Sequence, residues 1–470
     1  MPPRSAKARV SSASPAFQTK KTNREETEMT FATIRKGGLL AALVASLLAS
    51  PAFAKVTVLG WPGGPEETAL RAAADAYNAK AGVADKDKVE LLFFNRDGFW
   101  DKLQADLAAG SKAFDVNLLA TYSIGRYAPF MEPVELSGEA KSVYGDAVLK
   151  TMQFDGKQFG VPTDLSLHFM YYRKDLIDAL LKDDAAKARY GEISEKLLGK
   201  KLQPKAPDEW NWDDYAATAL YFTQAVNPDS PTRYGTVLQL KNLLFNIMIW
   251  QSVPRAYGGD WMDASGKITV NSDAYRKGLE IYKLLYDNGA TPRDSLSYEF
   301  AEANAAYASG QVAAMLQWNA AAGDLTSKEK SPAVAEATET IAPPTGPAGR
   351  FTHIHGLGFG LNKNAENKDG ARAFLKWLSS KEAALIYARN SGAPALTPEV
   401  VSEVAKERPD LVKLGDYAGK YGYVMTGGTS AKALTVYELQ AKEFTGYWSG
   451  QQSIDDALKN AEKGMAELLK

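Results

Sequence analysis

A chain of 470 residues, 45% hydrophobic and 24% charged, can bury at least one large core, and its length favours two or more lobes. Its formal charge is −1 and its basic residues form no long run interleaved with aromatics, so it offers nucleic acid no electrostatic footprint. It has no cysteine, which excludes disulfides, thiolate nucleophiles, cysteine-held metal and a lipidated cysteine anchor; its three histidines, His168, His353 and His355, make no HExxH pair, so neither a metal nor a cofactor is expected.

In chain order, the first patterned segment is LLAALVASLLA over 39–49, about half the ~20 apolar residues a membrane-spanning helix needs. Arg35 and Lys36 precede it and Ala52-Phe53-Ala54 follows. Basic region, apolar run and small residues before a cut are the order of an export signal, with cleavage expected after Ala54. Residues 1–28 are polar and patternless and Met29 is the expected initiator, so 1–28 read as a disordered start-site extension and 29–54 as the signal.

From Lys55 the pattern alternates. A strand over 56–60 runs into Trp61-Pro62-Gly63-Gly64-Pro65 and then a helix with Leu70, Ala74 and Tyr77 on one face. VELLFF (89–94) predicts a second, buried strand, FWDKLQADLAAG a helix stopped by Gly110, and FDVNLLA (114–120) a third strand. Such alternation predicts a parallel or mixed sheet covered on both faces, whose ligands sit beyond the carboxyl ends of the strands. Trp61 stands at one such end, facing a cleft or plugging the strand. Tyr122 stands at another.

Asp155-Gly156 predicts a hairpin turn, and extended segments follow it. A second lobe begins there: Asp213-Asp214 open a helix that NPDSP closes, and 271–289 is amphipathic, with Asn271 or Ser272 as its cap and Gly289 as its stop. AYASGQVAAMLQW gives a helix stop and a buried strand ending on Trp318. SPAVAEATETIAPPTGPAGR reads as a solvent-facing connection, HGLGFGLNK as a strand without nucleotide-loop spacing, KDGARAFLKWLSSKEAALIYARNSG as one strong helix, and QSIDDALKNAEKGMAELLK as a helix capped by Ser453.

Six stretches now stand in a telling order: DGKQFGVPTDLSLHFMYYRKDL, PDEWNWDDYAATA, AYGGDWMDASGKITVNSDAYRKGLEIYKLLYDNG, YASGQVAAMLQWNAAAGDL, HGLGFGLNKNAENKDGARAFLKWLSSKEAALIYARNSGAP and QSIDDALKNAEK. Together they resemble the extracellular solute-binding proteins of family 1, the sugar receptors of ABC transporters that include the maltodextrin-binding type, across essentially the whole chain after residue 54. The resemblance implies a type II periplasmic binding fold: two α/β lobes, 55–164 with 356–424 and 165–355 with 425–470. Crossovers are expected near 163–166, 352–356 and 424–428. It also implies a periplasmic monomer that closes on a sugar or polyol, without catalysis, and hands it to a membrane permease.

A sugar needs flat aromatics for its C–H faces and fixed polar groups for its hydroxyl rim. The expected platforms are Trp61 and Trp318, the latter at a position where the family carries a stacking aromatic. Tyr122 lies where relatives often place a charged group. Asp164, beside the first crossover, is suited to accepting hydroxyl hydrogen bonds or to capping a turn. Tyr257 and Asp260 flank Gly258-Gly259 on the second-lobe wall, and His355 with Gly356 marks the second crossover. An exported glycosidase would require two paired carboxylates, which no spacing supplies. The same fold could carry iron, a polyamine or an amino acid; Tyr171-Tyr172 suggests iron, but strand neighbours point to opposite faces.

Overall fold

The computed structural model describes residues 55–469, so the extension, the signal and the cut after Ala54 lie outside the described residues. The strands that carry the architecture are β1 (Val56–Gly60), β2 (Val89–Phe93), β3 (Val116–Ala120), β4 (Met131–Glu132), β5 (Gly160–Ser166), β6 (His168–Arg173), β7 (Tyr234–Thr236), β8 (Val312–Trp318), β9 (Thr338–Ile341) and β10 (His355–Asn362). The helices that frame them are α1 (Gly64–Asn78), α2 (Phe99–Ala108), α3 (Trp212–Tyr221), α4 (Leu244–Trp250), α5 (Asp273–Asp287), α6 (Phe300–Ala308), α7 (Lys368–Leu378), α8 (Lys381–Arg389), α9 (Ala433–Trp448) and α10 (Ile454–Leu468).

The first sheet is ordered β2-β1-β3-β10-β4, with β5 also paired to β10. β1 runs parallel to β2 and β3, and β10 antiparallel to β3 and β5, so the sheet is mixed. The helical periodicity of α1 buries Leu70, Ala73, Ala74 and Tyr77, and that of α2 buries Trp100, Leu103 and Leu107. The second sheet is ordered β9-β6-β8-β7, with β6 antiparallel to both β8 and β9. α3 starts on a capping box: Asn211 Oδ1 accepts from the amides of Asp213 and Asp214, and Asp214 Oδ2 accepts from the Asn211 amide.

The chain leaves the first sheet at Ser166 and enters the second at His168, with Leu167 alone between. It returns through Thr352–His353, which pairs with Gly422–Tyr423. These are the expected two α/β lobes joined by crossovers.

Three expectations are corrected. β2 is an edge strand, with Val89 its one buried residue, because among the described residues nothing pairs on its outer side. The segment after Ser331 is not merely a connection: Thr338–Ile341 pairs with β6 as β9. The single helix expected over 368–392 is two, because Ser380 restarts it, its hydroxyl accepting from the Ala383 amide at 3.2 Å.

Candidate functional site

The parallel strands of the first sheet set three side chains at their carboxyl ends. β1 delivers Trp61, β3 delivers Tyr122, and the loop after β2 delivers Arg96. From the other side, β8 ends on Trp318. The pairing register aligns these walls at the crossover: His355 stands opposite Ser166 between β10 and β5, and Trp318 opposite His168 between β8 and β6.

A cavity lies between the two sheets. Trp61, Glu66, Arg96 and Tyr122 line it from the first; Phe245, Glu299, Phe300 and Trp318 from the second; Ser166, His355 and Leu357 close its floor. Four of the expected site residues, Trp61, Tyr122, Trp318 and His355, thus come together.

The two indoles differ in freedom. Trp61 is 5% exposed, edge-on to Phe99, Trp100 and Phe245 with centroids 5.5, 5.7 and 5.9 Å away, and the Arg96 guanidinium covers one of its faces at 4.7 Å. Trp318 is half-buried, its ring seated on His168 at 4.4 Å and near His355 at 5.8 Å. The Tyr171 hydroxyl donates to its carbonyl at 2.9 Å, fixing the strand end.

The polar groups of the cavity centre on Arg96. It pairs with Glu66 at 3.2 Å. Burial raises the Glu299 carboxyl above the usual carboxylate range, while Arg96 and then Lys241 pull it back. Burial also holds the Tyr122 hydroxyl well above the usual phenol range, so it stays protonated. Beyond Ala320 lies a second hollow, which no aromatic ring lines among the described residues. Its walls carry four ion pairs: Lys330–Asp324 at 2.6 Å, Arg408–Asp410 at 2.7 Å, Arg389–Glu407 at 3.4 Å and Lys413–Glu339 at 3.8 Å.

Four expected residues lie outside the cavity lining. Asp164 is buried and committed elsewhere: Oδ2 accepts from the Tyr387 hydroxyl at 2.7 Å and Oδ1 from the Ala393 amide at 2.8 Å. Burial, then the charge of Glu66, pushes its carboxyl up to about 6. Asp260 accepts from Arg255, the Trp261 amide, and the amide and hydroxyl of Thr426, so it ties its loop to the third crossover. Tyr257 packs against the core beside Gly258, whose φ of 90° suits only glycine. Gly356 sits within the sheet, where an added Cβ would stand 2.5 Å from Thr151 Oγ1.

Glu66, Arg96, Phe245 and Glu299 were not anticipated from the sequence. Arg96 could have been, since it follows a parallel strand as Trp61 does. Phe245 and Glu299 sit at the starts of helices α4 and α6, and no strand end marks them.

A sequence model of the bacterial extracellular solute-binding proteins matches residues 72–413. The probable amino-acid ABC transporter periplasmic-binding protein y4oP of Sinorhizobium fredii is 24% identical over 376 residues, covering 76% of this chain and 77% of its own. The mannitol-binding protein of Pseudomonas aeruginosa is 22% identical over 405 residues, covering 78% and 83%. Among solved structures, maltose-bound T. maritima MalE3 matches with a TM-score of 0.73 at 22% identity, covering 88% of this chain and 100% of the other, which shows the same fold.

Proposed function

Since the chain belongs to the bacterial extracellular solute-binding proteins of ABC transporters, we propose that it captures an uncharged sugar or polyol in the cavity at the lobe interface. It then delivers this cargo, as a periplasmic monomer, to a membrane permease. We take the lobes as 55–164 with 356–424 and 165–355 with 425–470, shifted by a residue or two at the crossings because β5 keeps to the first sheet as far as Ser166 and β10 joins it from His355. Closure by both lobes on one ligand shifts a two-state equilibrium, and the permease reads the closed form.

The observation that carries this reading is the arrival of two indoles, Trp61 and Trp318, at one cavity from opposite sheets, with paired charges beside them. A ring with an apolar C–H face and a hydroxyl rim meets both needs there: an aromatic platform, and charged acceptors and donors that make the stronger kind of hydrogen bond. Two carboxylates and one guanidinium give the lining a surplus of negative charge, which disfavours anionic cargo. A ferric site needs anionic oxygens, and Tyr122 is held protonated.

A second reading is favoured by one feature. Arg96 flanked by Glu66 and Glu299 could grip the carboxylate and ammonium of an amino acid, the cargo for which the Sinorhizobium relative is named. Thermal shift against mono-, di- and trisaccharides, polyols, amino acids and polyamines separates the readings, because a ligand bound only by the native state raises Tm. Stabilisation by an amino acid and by no sugar or polyol would sink the sugar reading. Release of reducing ends from an oligosaccharide would sink the non-enzymatic one.

A further inference from the structure

All three histidines of the chain lie in one buried cluster beneath the cavity. His168 opens β6 directly after the crossing at Leu167, and His353 and His355 flank Ile354 on the return crossing. The rings of His353 and His355 stand 4.0 Å apart, and His168 backs Trp318 at 4.4 Å. His353 Nε2 shares a 2.5 Å hydrogen bond with the Tyr437 hydroxyl. Neither ring nitrogen of His168, nor Nε2 of His355, has a hydrogen-bond partner among the described residues.

The groups facing the cluster are neutral. Tyr122 meets His355 from the end of β3 at 5.3 Å, Tyr437 comes from α9, and Tyr423 lies 5.0 Å from His353. Ser252 approaches His353 from its own helix, and Thr352 Oγ1 accepts from the His168 amide. The nearest charges stand behind these tyrosines, already paired: Arg96 with Glu66 beyond Tyr122, and Arg255 with Asp260 beyond Tyr423 and Tyr437. Among the described residues no carboxylate accepts from any of the three rings; the Ile354 backbone favours a charged His353, but burial outweighs it.

We propose that His168, His353 and His355 form a proton-sensitive lock under the cargo platform, closed around cargo near neutral pH and released by acid. This rests on the reading of the cavity as the cargo site. His355 lines that cavity and His168 supports Trp318, so parting of the lobes brings water to both. Burial keeps all three rings neutral in the closed form, His353 down to about 3 and the other two well below the usual imidazole range. A ring that opening hydrates returns towards about 6.5 and takes up a proton as the pH falls through that value. The closed state therefore loses stability below about 6.5 and keeps it above. Each histidine so hydrated weakens cargo binding about tenfold between pH 7.5 and 5.5. Glu299, which lines the cavity, acts in the opposite sense: burial raises its carboxyl, so acid stabilises the closed form through it. The sign of the response identifies the group responsible.

The test is calorimetric titration of the full exported chain with maltose and with D-mannitol at pH 7.5 and 5.5, beside histidine-selective 15N NMR and small-angle scattering without either probe. The expected result is binding at least tenfold weaker at pH 5.5, a larger radius of gyration there, and charged histidine rings. His168→Phe keeps an aromatic ring, somewhat larger, behind Trp318 and forfeits no side-chain hydrogen bond; it is expected to lower the fold-change by about one factor of ten where His168 is hydrated on opening. Equal or tighter binding at pH 5.5, or an undiminished response in His168→Phe, overturns the lock. Failure of both probes at pH 7.5 counts against the cargo reading instead. The lock is then decided by NMR, where rings still neutral at pH 5.5 in the ligand-free chain overturn it.

Discussion

Truncating the two indoles should produce two different phenotypes, although the sequence suggests the same role for both. Trp61 is 5% exposed and packed edge-on against Phe99, Trp100 and Phe245, with Arg96 on one face. Trp61→Ala should therefore behave as a core truncation, costing about 3–5 kcal/mol of folding stability. Trp318 is half-buried and turned to the cavity. A sugar face laid on it would remove on the order of 60 Å² of apolar surface from water, worth about 1.5 kcal/mol at ~25 cal/mol per Å², or roughly a tenfold change in Kd. Trp318→Ala should thus weaken cargo about tenfold with a smaller effect on folding. Denaturant midpoints measure the first quantity and calorimetric titration with the sugar that raises Tm most measures the second. Trp61→Ala with a wild-type midpoint would refute the boxed-in ring, and Trp318→Ala with affinity within about twofold of wild type would refute the platform.

Asp164→Asn should make stability less dependent on pH. The folded-state carboxyl sits at about 6 against an ordinary 3.8, so its contribution is fully present below about 3.8 and lost as pH rises through about 6, a change of about 2–3 kcal/mol. Asparagine can still accept from the Ala393 amide and donate to the Tyr387 oxygen, so the variant should be the more stable protein at pH 7.5; equal destabilisation by the substitution at pH 5 and 7.5 would count against this account. Gly356→Ala should destabilise by about 1–3 kcal/mol, because the new Cβ would meet Thr151 Oγ1 at 2.5 Å and Thr121 Oγ1 at 3.1 Å. Adding Thr151→Ala, which removes the nearest atom, should recover part of that loss in the same denaturation assay, and a wild-type midpoint for Gly356→Ala alone would contradict the close packing.

What the sequence made legible follows a physical divide. Trp61, Tyr122 and Trp318 could be picked out because a strand end is a local event: apolar alternation stops, and the next residue lies at the rim of the sheet. Asp164 could not be resolved the same way. An acid at a crossing serves cargo or a neighbouring loop, and the choice was made by Ala393 and Tyr387, more than 220 residues further along the chain. Glu299 was equally hidden, since its side chain sits in a capping box at the start of α6 and reads as a helix signal. VELLFF looked central because a continuous apolar run carries no mark of whether a second neighbour will pair with it. The division at Ser380 was written in the sequence as a serine three residues before Ala383, yet the apolar stripe on either side concealed it.

The register at the crossing joins capture to closure more tightly than the resemblance to sugar receptors requires. Ser166 pairs with His355 at the end of one sheet and His168 with Trp318 at the end of the other, with the single residue Leu167 between. Ser166, His355 and Trp318 are cavity wall. A rotation at Leu167 large enough to part the lobes must also move Trp318 relative to His355, because each is hydrogen-bonded into a different sheet. If Trp318 and His355 are the platform and floor of the site as proposed, they are correctly spaced in one lobe arrangement only, and a ligand touching both would have the differential affinity for the closed state without which it could not drive closure.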